Sequence, residues 1–287
     1  MKLVWIKGAG DLASGIALRL MHSGFRIMMT DLPEPTSVRR TVCFSEAIRL
    51  GRCRVEDVCA VRANDVSTIR NLLGSAQQPQ TAIPVIPDPE GTLAASFHPD
   101  VIVDAIIAKK NLGTKITDAP IVIGVGPGFT AGSDCHAVIE TKRGHTLGRV
   151  IRDGSAIPNT GIPGNIGGFA AERVFRASAD GIFHPENDFG DLVHPNDEIA
   201  YVETSSGNVP VYAAINGMIR GMLPDGLPVT KGMKAGDIDP RGASVDYRTV
   251  SDKALAIAGG VLEAILSSAK STSEDHCINN LDICTSD

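Results

Sequence analysis

The sequence predicts an α/β protein: a Rossmann-like doubly wound parallel sheet followed by a β-rich domain. Three observations predict it. The chain opens on a strand, a glycine loop, a helix and a second strand, between Lys2 and Asp31. Apolar runs of strand length, Val101-Ile102-Val103-Asp104-Ala105 and Ile121-Val122-Ile123-Gly124-Val125, follow among helix-spaced stretches, as in buried parallel strands. Between Arg176 and Arg241 one pattern occurs twice with an offset of 36 positions: Ala177-Ser178-Ala179-Asp180-Gly181-Ile182 is answered by Ala213-Ala214-Ile215-Asn216-Gly217-Met218, Gly190 by Gly226 and Val193 by Val229. The expected divisions are residues 1–168 for the α/β domain with its glycine-rich loops, 169–266 for the repeated β domain with a terminal helix, and a disordered polar tail over 267–287.

The first unit carries its own chemistry. Lys2–Lys7 reads as a buried strand, Gly8-Ala9-Gly10-Asp11-Leu12-Ala13-Ser14-Gly15 as a loop opening a helix, and Phe25–Met29 as a strand ending near Asp31. Gly8 and Gly10 let a backbone approach a pyrophosphate at the helix N-terminus, and Asp31 stands where an acid accepts from a ribose. Ala13 replaces the third glycine, and Asp11 puts a carboxylate inside the loop. The same residues also describe a turn that simply packs a helix on its strand. Helical spacing covers Ser45–Leu50 and Val66–Leu73, the latter capped by Asn64-Asp65. Further along, Gly126-Pro127-Gly128 follows the Ile121–Val125 strand. Ligands of open α/β sheets bind beyond the carboxyl ends of strands, so Gly126 and Gly128 form a second candidate wall.

Asp134 to Thr141 alternates as a strand, placing Asp134, His136, Val138 and Glu140 on one face and Cys135 on the other. That face suits acid–base work or simple exposure to solvent. Lys142-Arg143 with Arg149 and Arg152 reads equally as an anion neutraliser or a solvated edge. Asn159-Thr160-Gly161-Ile162-Pro163-Gly164 runs into Gly167-Gly168. It makes Thr160, Gly161 and Gly164 candidates for an anion nest, or for a hinge ahead of a helix-like run at Phe169–Phe175. Asp237 and Asp239 share a face, with Arg241 beside them. Ser251-Asp252-Lys253 opens a last helix, in which Gly259-Gly260 costs about 1 kcal/mol per residue against alanine and implies close packing on another backbone.

In the second domain, Asp-Gly, Asn-Gly and Gly-Asp turns punctuate short strands. Neither copy carries enough apolar residues for a core, so the copies should interlock. The pattern resembles the barrel-sandwich (biotinyl/lipoyl-like) fold, whose carrier members bear a lysine at a hairpin tip. Here the tip falls at Glu203–Gly207 and no lysine occurs between Arg176 and Lys231, so no covalent biotin or lipoate is expected.

Composition bounds the partners. The net charge is −6 and aromatic residues make up 4%, which favours neither nucleic-acid binding nor base stacking. No apolar run reaches the ~18 residues of a membrane helix, and the N-terminus is not signal-like, so a cytoplasmic location is expected. Six cysteines, Cys43, Cys53, Cys59, Cys135, Cys277 and Cys284, form no Cys-x-x-Cys pair; reduced thiols and no metal site are expected.

Several of these motifs together, Ile6–Ala13, Gly126–Phe129, Ile139–His145, Asn159–Gly164, Gly236–Arg241 and Ser251–Leu255, resemble the YqeB-type proteins of the selenium-dependent molybdenum hydroxylase system, over nearly the whole chain to about Leu266. The resemblance implies an accessory or maturation protein that binds or helps insert a molybdenum cofactor, a pterin, or a nucleotide. Its partner would be an apo molybdenum hydroxylase. It supplies no catalytic residues, and homo-oligomerisation stays open. Two other classes stand beside it. One is an NAD(P)-dependent oxidoreductase with an appended β domain, against which the absence of a Tyr-x-x-x-Lys pair counts. The other is a non-catalytic scaffold.

Overall fold

The computed structural model describes residues 2–75 and 79–274. Its first part runs β1 (Leu3–Lys7), α1 (Asp11–His22), β2 (Arg26–Asp31), α2 (Glu46–Leu50), β3 (Arg52–Val55), β4 (Val58–Arg62), α3 (Val66–Leu73), β5 (Ile83–Pro87), α4 (Thr92–Ala95), β6 (Val101–Asp104), β7 (Ile121–Val125), β8 (Thr130–Ala131), β9 (Ala137–Ile139), β10 (Val150–Ile151) and β11 (Gly154–Ser155). Nine of these strands form one sheet in the order β10-β9-β7-β6-β1-β2-β5-β4-β3.

Alternation along β1 shows how the sheet is buried. Val4 and Ile6 join the apolar layer under α1 and α2, together with Ile27, Met29, Val101 and Val103. Leu3 and Trp5 face the other way with Met28, Ile102 and Val122, beneath Ile69 and Leu73 of α3. Asp65 caps α3 by accepting from the Thr68 amide, as its position before the helical spacing indicates.

The fold-class expectation needs correction. The sheet is mixed rather than parallel, because β3 and β10 close its two edges antiparallel. It is not doubly wound either. The β6–β7 crossover has no helix: Ala105–Pro120 carries three lysines and includes positive φ at Ile107 (61°) and Lys109 (63°). The second face is covered mainly by the short α3 and α4. Of the alternating face expected over Asp134–Thr141, only Ala137–Ile139 is strand.

The second part runs β12 (Val174–Arg176), β13 (Gly181–Pro185), β14 (Leu192–Val193), β15 (Glu198–Thr204), β16 (Gly207–Tyr212), β17 (Gly217–Met222), β18 (Leu227–Val229) and β19 (Lys234–Asp239). These make two four-stranded antiparallel sheets, β12-β19-β17-β14 and β16-β15-β13-β18. Each sheet combines strands from both halves of the repeated stretch, which is the interlocking that the sparse apolar content demands. The unit is an antiparallel half-barrel, not a biotinyl-like sandwich. Register shifts at Phe175/Arg176, Glu198/Ala200 and Ile219/Gly221 bend its strands. One sheet is also bound to the first part, Met222 donating its amide to the Val38 carbonyl at 2.8 Å, and Val38 joins the half-barrel core. The helix-like run at Phe169–Phe175 is instead turn followed by β12.

The last helix, α5 (Asp252–Glu274), was grouped by sequence with the β domain. It packs on α1, where a Cβ at Gly15 would stand 2.7 Å from that of Ala254. It also continues through 267–274, which the sequence had assigned to a disordered tail; residues 275–287, with Cys277 and Cys284, lie outside the described residues. The glycine pair in α5 resolves into unequal members. A Cβ on Gly260 would lie 2.0 Å from the Gly148 carbonyl oxygen, whereas at Gly259 it would meet nothing. Gly260→Ala is therefore expected to destabilise the protein by about 1–3 kcal/mol through overpacking, and Gly259→Ala to leave it unchanged or slightly more stable. Urea unfolding of the two variants checks this; equal effects would refute the contact.

Candidate functional site

The two parts meet along residues 38–41, a stretch between β2 and α2. Arg40 Nε donates to the Met222 carbonyl at 2.9 Å and Thr41 Oγ1 to the Tyr247 carbonyl at 2.8 Å. Between them, Arg39 turns into the interface. Its guanidinium donates to Asp237 of β19 through Nη2 at 2.8 Å and Nε at 3.3 Å, and to Asp11, the first residue of α1, at 3.1 Å. Arg173 adds a longer contact to Asp237 at 3.4 Å. Asp237 is 1% exposed. Burial alone would raise its carboxyl, but Arg39, then Lys234 and Arg220, outweigh that and hold it well below the usual carboxylate range. One alternation further, Asp239 accepts from Arg220 at 3.0 Å and from Arg241 at 2.9 and 2.8 Å. The two acids do share a face, and both are ionised anchors for arginines.

In front of this interface lies a cleft of about 630 Å³. Its wall carries Arg39, Lys142, Arg143, Arg173, Lys234 and Lys253 against one carboxylate, that of Asp11. The cations arrive from five places: the 38–41 stretch, the segment after β9, the approach to β12, the start of β19 and the first turn of α5. Lys142 and Arg143 are legible in the sequence as anion neutralisers, whereas Arg39, Arg173, Lys234 and Lys253 carry no local signal of a site. These lie far apart in the chain, and only the interlocked β unit brings them together.

The residues expected to line one site are divided. Thr160 and Gly164 line the basic cleft, and Asp11 borders both it and a second cleft of about 400 Å³ that holds Gly8, Gly10 and Asp31. Asp31 is already engaged, its oxygens accepting from the Ala9 and Leu32 amides at 2.8 Å each. It helps close the Gly8–Gly10 turn and at the same time lines the second cleft. Gly126 and Gly128 line neither cleft. A Cβ on Gly126 would stand 2.9 Å from Thr141 Oγ1, and one on Gly128 2.6 Å from the Lys110 backbone, so these glycines serve close packing. Gly161, with φ of 72°, turns the chain between Thr160 and Gly164.

The face expected at Asp134, His136 and Glu140 is structural. Asp134 accepts from the Thr130 amide, His136 Nδ1 from the Val122 amide, and buried Glu140 from the amides of Thr141, Lys142 and Ile157 at 2.7–2.8 Å. Cys135 is buried, and burial pushes its thiol up to about 11. Cys43, at the edge of the basic cleft, is likewise raised by burial and by Asp11. Neither is a thiolate at neutral pH. Among the described residues no group of three or more His, Cys, Asp or Glu could hold a metal, and no helix is long and apolar enough to cross a membrane.

No family model matches the chain. It is similar to the uncharacterized protein YqeB of Escherichia coli (strain K12), 50% identical over 265 residues. The match covers 92% of this chain and 47% of that protein, so the chain spans about half the length of the curated relative it matches. Three solved structures share slighter likeness. The product-bound ectoine utilization protein EutE (DoeB) of Ruegeria pomeroyi is 12% identical with a TM-score of 0.24, covering 74% of this chain and 57% of that one. A succinylglutamate desuccinylase/aspartoacylase of Rhodobacter sphaeroides is 11% identical at 0.27, covering 83% and 84%. An aspartoacylase family protein of Mesorhizobium loti is 11% identical at 0.25, covering 83% and 84%. Likenesses this slight carry no argument for this chain's activity.

These findings correct the expected function. The resemblance to YqeB stands. The maturation role, with its molybdenum cofactor or nucleotide, does not. The relative's name carries no such role. The oxidoreductase and scaffold alternatives find no match either.

Removing the buried carboxylate tests the interface. Asp237→Asn leaves Arg39 and Arg173 partly uncompensated and is expected to cost about 3–5 kcal/mol. The sign of the pH effect follows from the depressed carboxyl. Its stabilisation is present above the unfolded value of about 3.9 and is lost as pH falls toward the folded value. Wild-type stability should therefore drop more steeply than that of Asp237→Asn on acidification below about pH 4. Parallel acid-dependence curves of denaturant unfolding would refute the assignment.

Proposed function

We propose that this protein binds a small organic anion of charge −2 or more, carrying carboxylate or phosphate groups, in the basic cleft between the sheet and the half-barrel. One observation carries the reading: the cleft's positive charge is not neutralised from within. Among the described residues the Lys142, Lys234 and Lys253 side chains have no hydrogen bond or ion pair. Arg143 has only a surface pair with Asp252, at 2.8 Å, where Asp252 is 71% exposed, and exposed pairs contribute little. Arg39 and Arg173 are tied to Asp237, which fixes their guanidinium planes.

The size fits. Small-molecule sites span roughly 300–1,000 Å³. The charge is concave and local, while the chain as a whole is acidic at −6, so the field focuses a small anion instead of following an extended polyanion. The Asn159–Gly164 segment, with Thr160 and Gly164, supplies polar groups and backbone along one wall.

Thermal shift with pyrophosphate and citrate, against acetate at equal ionic strength, tests this. A ligand at 100 times its dissociation constant adds about 2.7 kcal/mol. The expected outcome is stabilisation by a multivalent anion that weakens as salt is raised. The double variant Lys142→Ala/Arg143→Ala is expected to bind about tenfold more weakly, as for the loss of about 1.4 kcal/mol of interaction. An unchanged shift in that variant would place the anion elsewhere, and no shift from any multivalent anion would sink the reading.

A further inference from the structure

Among the cleft cations, Lys253 is out of place. It lies in the first turn of α5, whose N-terminus is set by Ser251, the serine hydroxyl accepting from the Ala254 amide at 3.2 Å and its carbonyl from the Leu255 amide at 2.9 Å. A helix N-terminus repels a cation, and the acidic residue normally favoured there is present as Asp252. Lys253 is half-buried, lines the cleft, and has no hydrogen bond or ion pair among the described residues. Burial, and next the Arg143 guanidinium, push its amine below the ordinary lysine value; Arg39 acts the same way, while Asp11 and Glu140 oppose. Asp252, its chain neighbour, is itself bound to Arg143. An amine so placed is a poor counter-ion and a good nucleophile.

Resting on the anion-binding reading above, we infer that Lys253 is the nucleophile of the basic cleft, forming an imine with a bound anion that carries an aldehyde or ketone group, a 2-oxo acid being the simplest such ligand. The Lys253 Nζ lone pair adds to the carbonyl carbon, and the carbonyl π pair moves to oxygen, which takes a proton and becomes a hydroxyl. That hydroxyl leaves as water when the remaining amine proton is lost and the C=N bond closes. Amine and carbonyl give imine and water; no oxidant, reductant or further reactant is needed. Lys142 and Arg143 hold the ligand's carboxylate, and the other cations of the wall neutralise a second acidic group.

Peptide mapping after incubation with 2-oxoglutarate and a hydride donor such as cyanoborohydride, which fixes imines as secondary amines, tests the inference. A parallel thermal-shift titration uses 2-hydroxyglutarate, which has the same two carboxylates and no carbonyl. The adduct is expected on the Lys253 peptide, in excess over the Lys142 and Lys234 peptides at neutral pH. It should be absent from Lys253→Arg, whose folding is checked by its melting curve; if that variant fails to fold, the wild-type peptide map decides alone. Adducts spread evenly over the lysines, or concentrated on Lys234, would overturn the assignment. Stabilisation by 2-hydroxyglutarate without a Lys253 adduct removes the imine and leaves the anion site standing. No stabilisation and no adduct removes both.

Discussion

The structure turns on one buried carboxylate. Asp237 has left water almost completely, and an ion so placed costs several kcal/mol unless its partners are close and well oriented. Arg39 meets that requirement from the other side of the interface, and Asp11 takes a further donor of the Arg39 guanidinium. The chain Asp237–Arg39–Asp11 thereby ties the half-barrel, the connection between β2 and α2, and the start of α1 into a single charge-assisted network. Displacing any of the three elements would leave a buried charge exposed to low dielectric, so their relative positions are fixed more sharply than apolar contact alone could fix them.

That fixing produces the cleft. Because Arg39 and Arg173 are both turned toward Asp237, the cations brought by the segment after β9, by β19 and by α5 are left facing each other across open space. A protein normally neutralises such a cluster internally. Here the carboxylates available nearby are engaged elsewhere: Glu140 accepts three backbone amides, Asp31 two, and Asp239 serves Arg220 and Arg241. The surplus positive charge is a property of how the acids are spent, not of the overall composition, which is acidic.

Much of the architecture was legible in the chain. The glycine loop between β1 and α1, the buried runs of β6 and β7, the Asp65 cap and the Ser251 helix start all rest on local chemistry within a few residues, and the repeat rests on direct self-similarity. Gly260 was legible as a close-packing position, though its partner, the Gly148 carbonyl, lies 112 positions away. What could not be read was non-local. The antiparallel edges β3 and β10 carry no pattern that distinguishes them from parallel strands. The doubly wound expectation rested on apolar strand runs among helix-spaced stretches, which do not reveal that the Ala105–Pro120 crossover has no helix. The candidate site was half visible for the same reason. Thr160, Gly164 and Asp11 stand in glycine-rich loops that announce themselves, while Arg39, Arg173, Lys234 and Lys253 are ordinary basic residues until the β unit folds against the sheet.

The exchange of strands between the two repeats has a further consequence. Each four-stranded sheet is incomplete without strands from both copies, so a single copy has no folded form of its own. The half-barrel is in effect a two-subunit assembly whose subunits are joined by a peptide bond. The tether replaces a concentration-dependent association by the closing of one short loop, whose entropic cost rises only with the logarithm of its length. Two consequences follow for the chain's history and its handling. A fragment carrying one repeat would complete itself only by pairing with a second fragment, in the manner of a domain swap. And proteolytic nicking at the junction of the repeats would leave the two pieces bound to each other, with the basic cleft intact between them and the sheet.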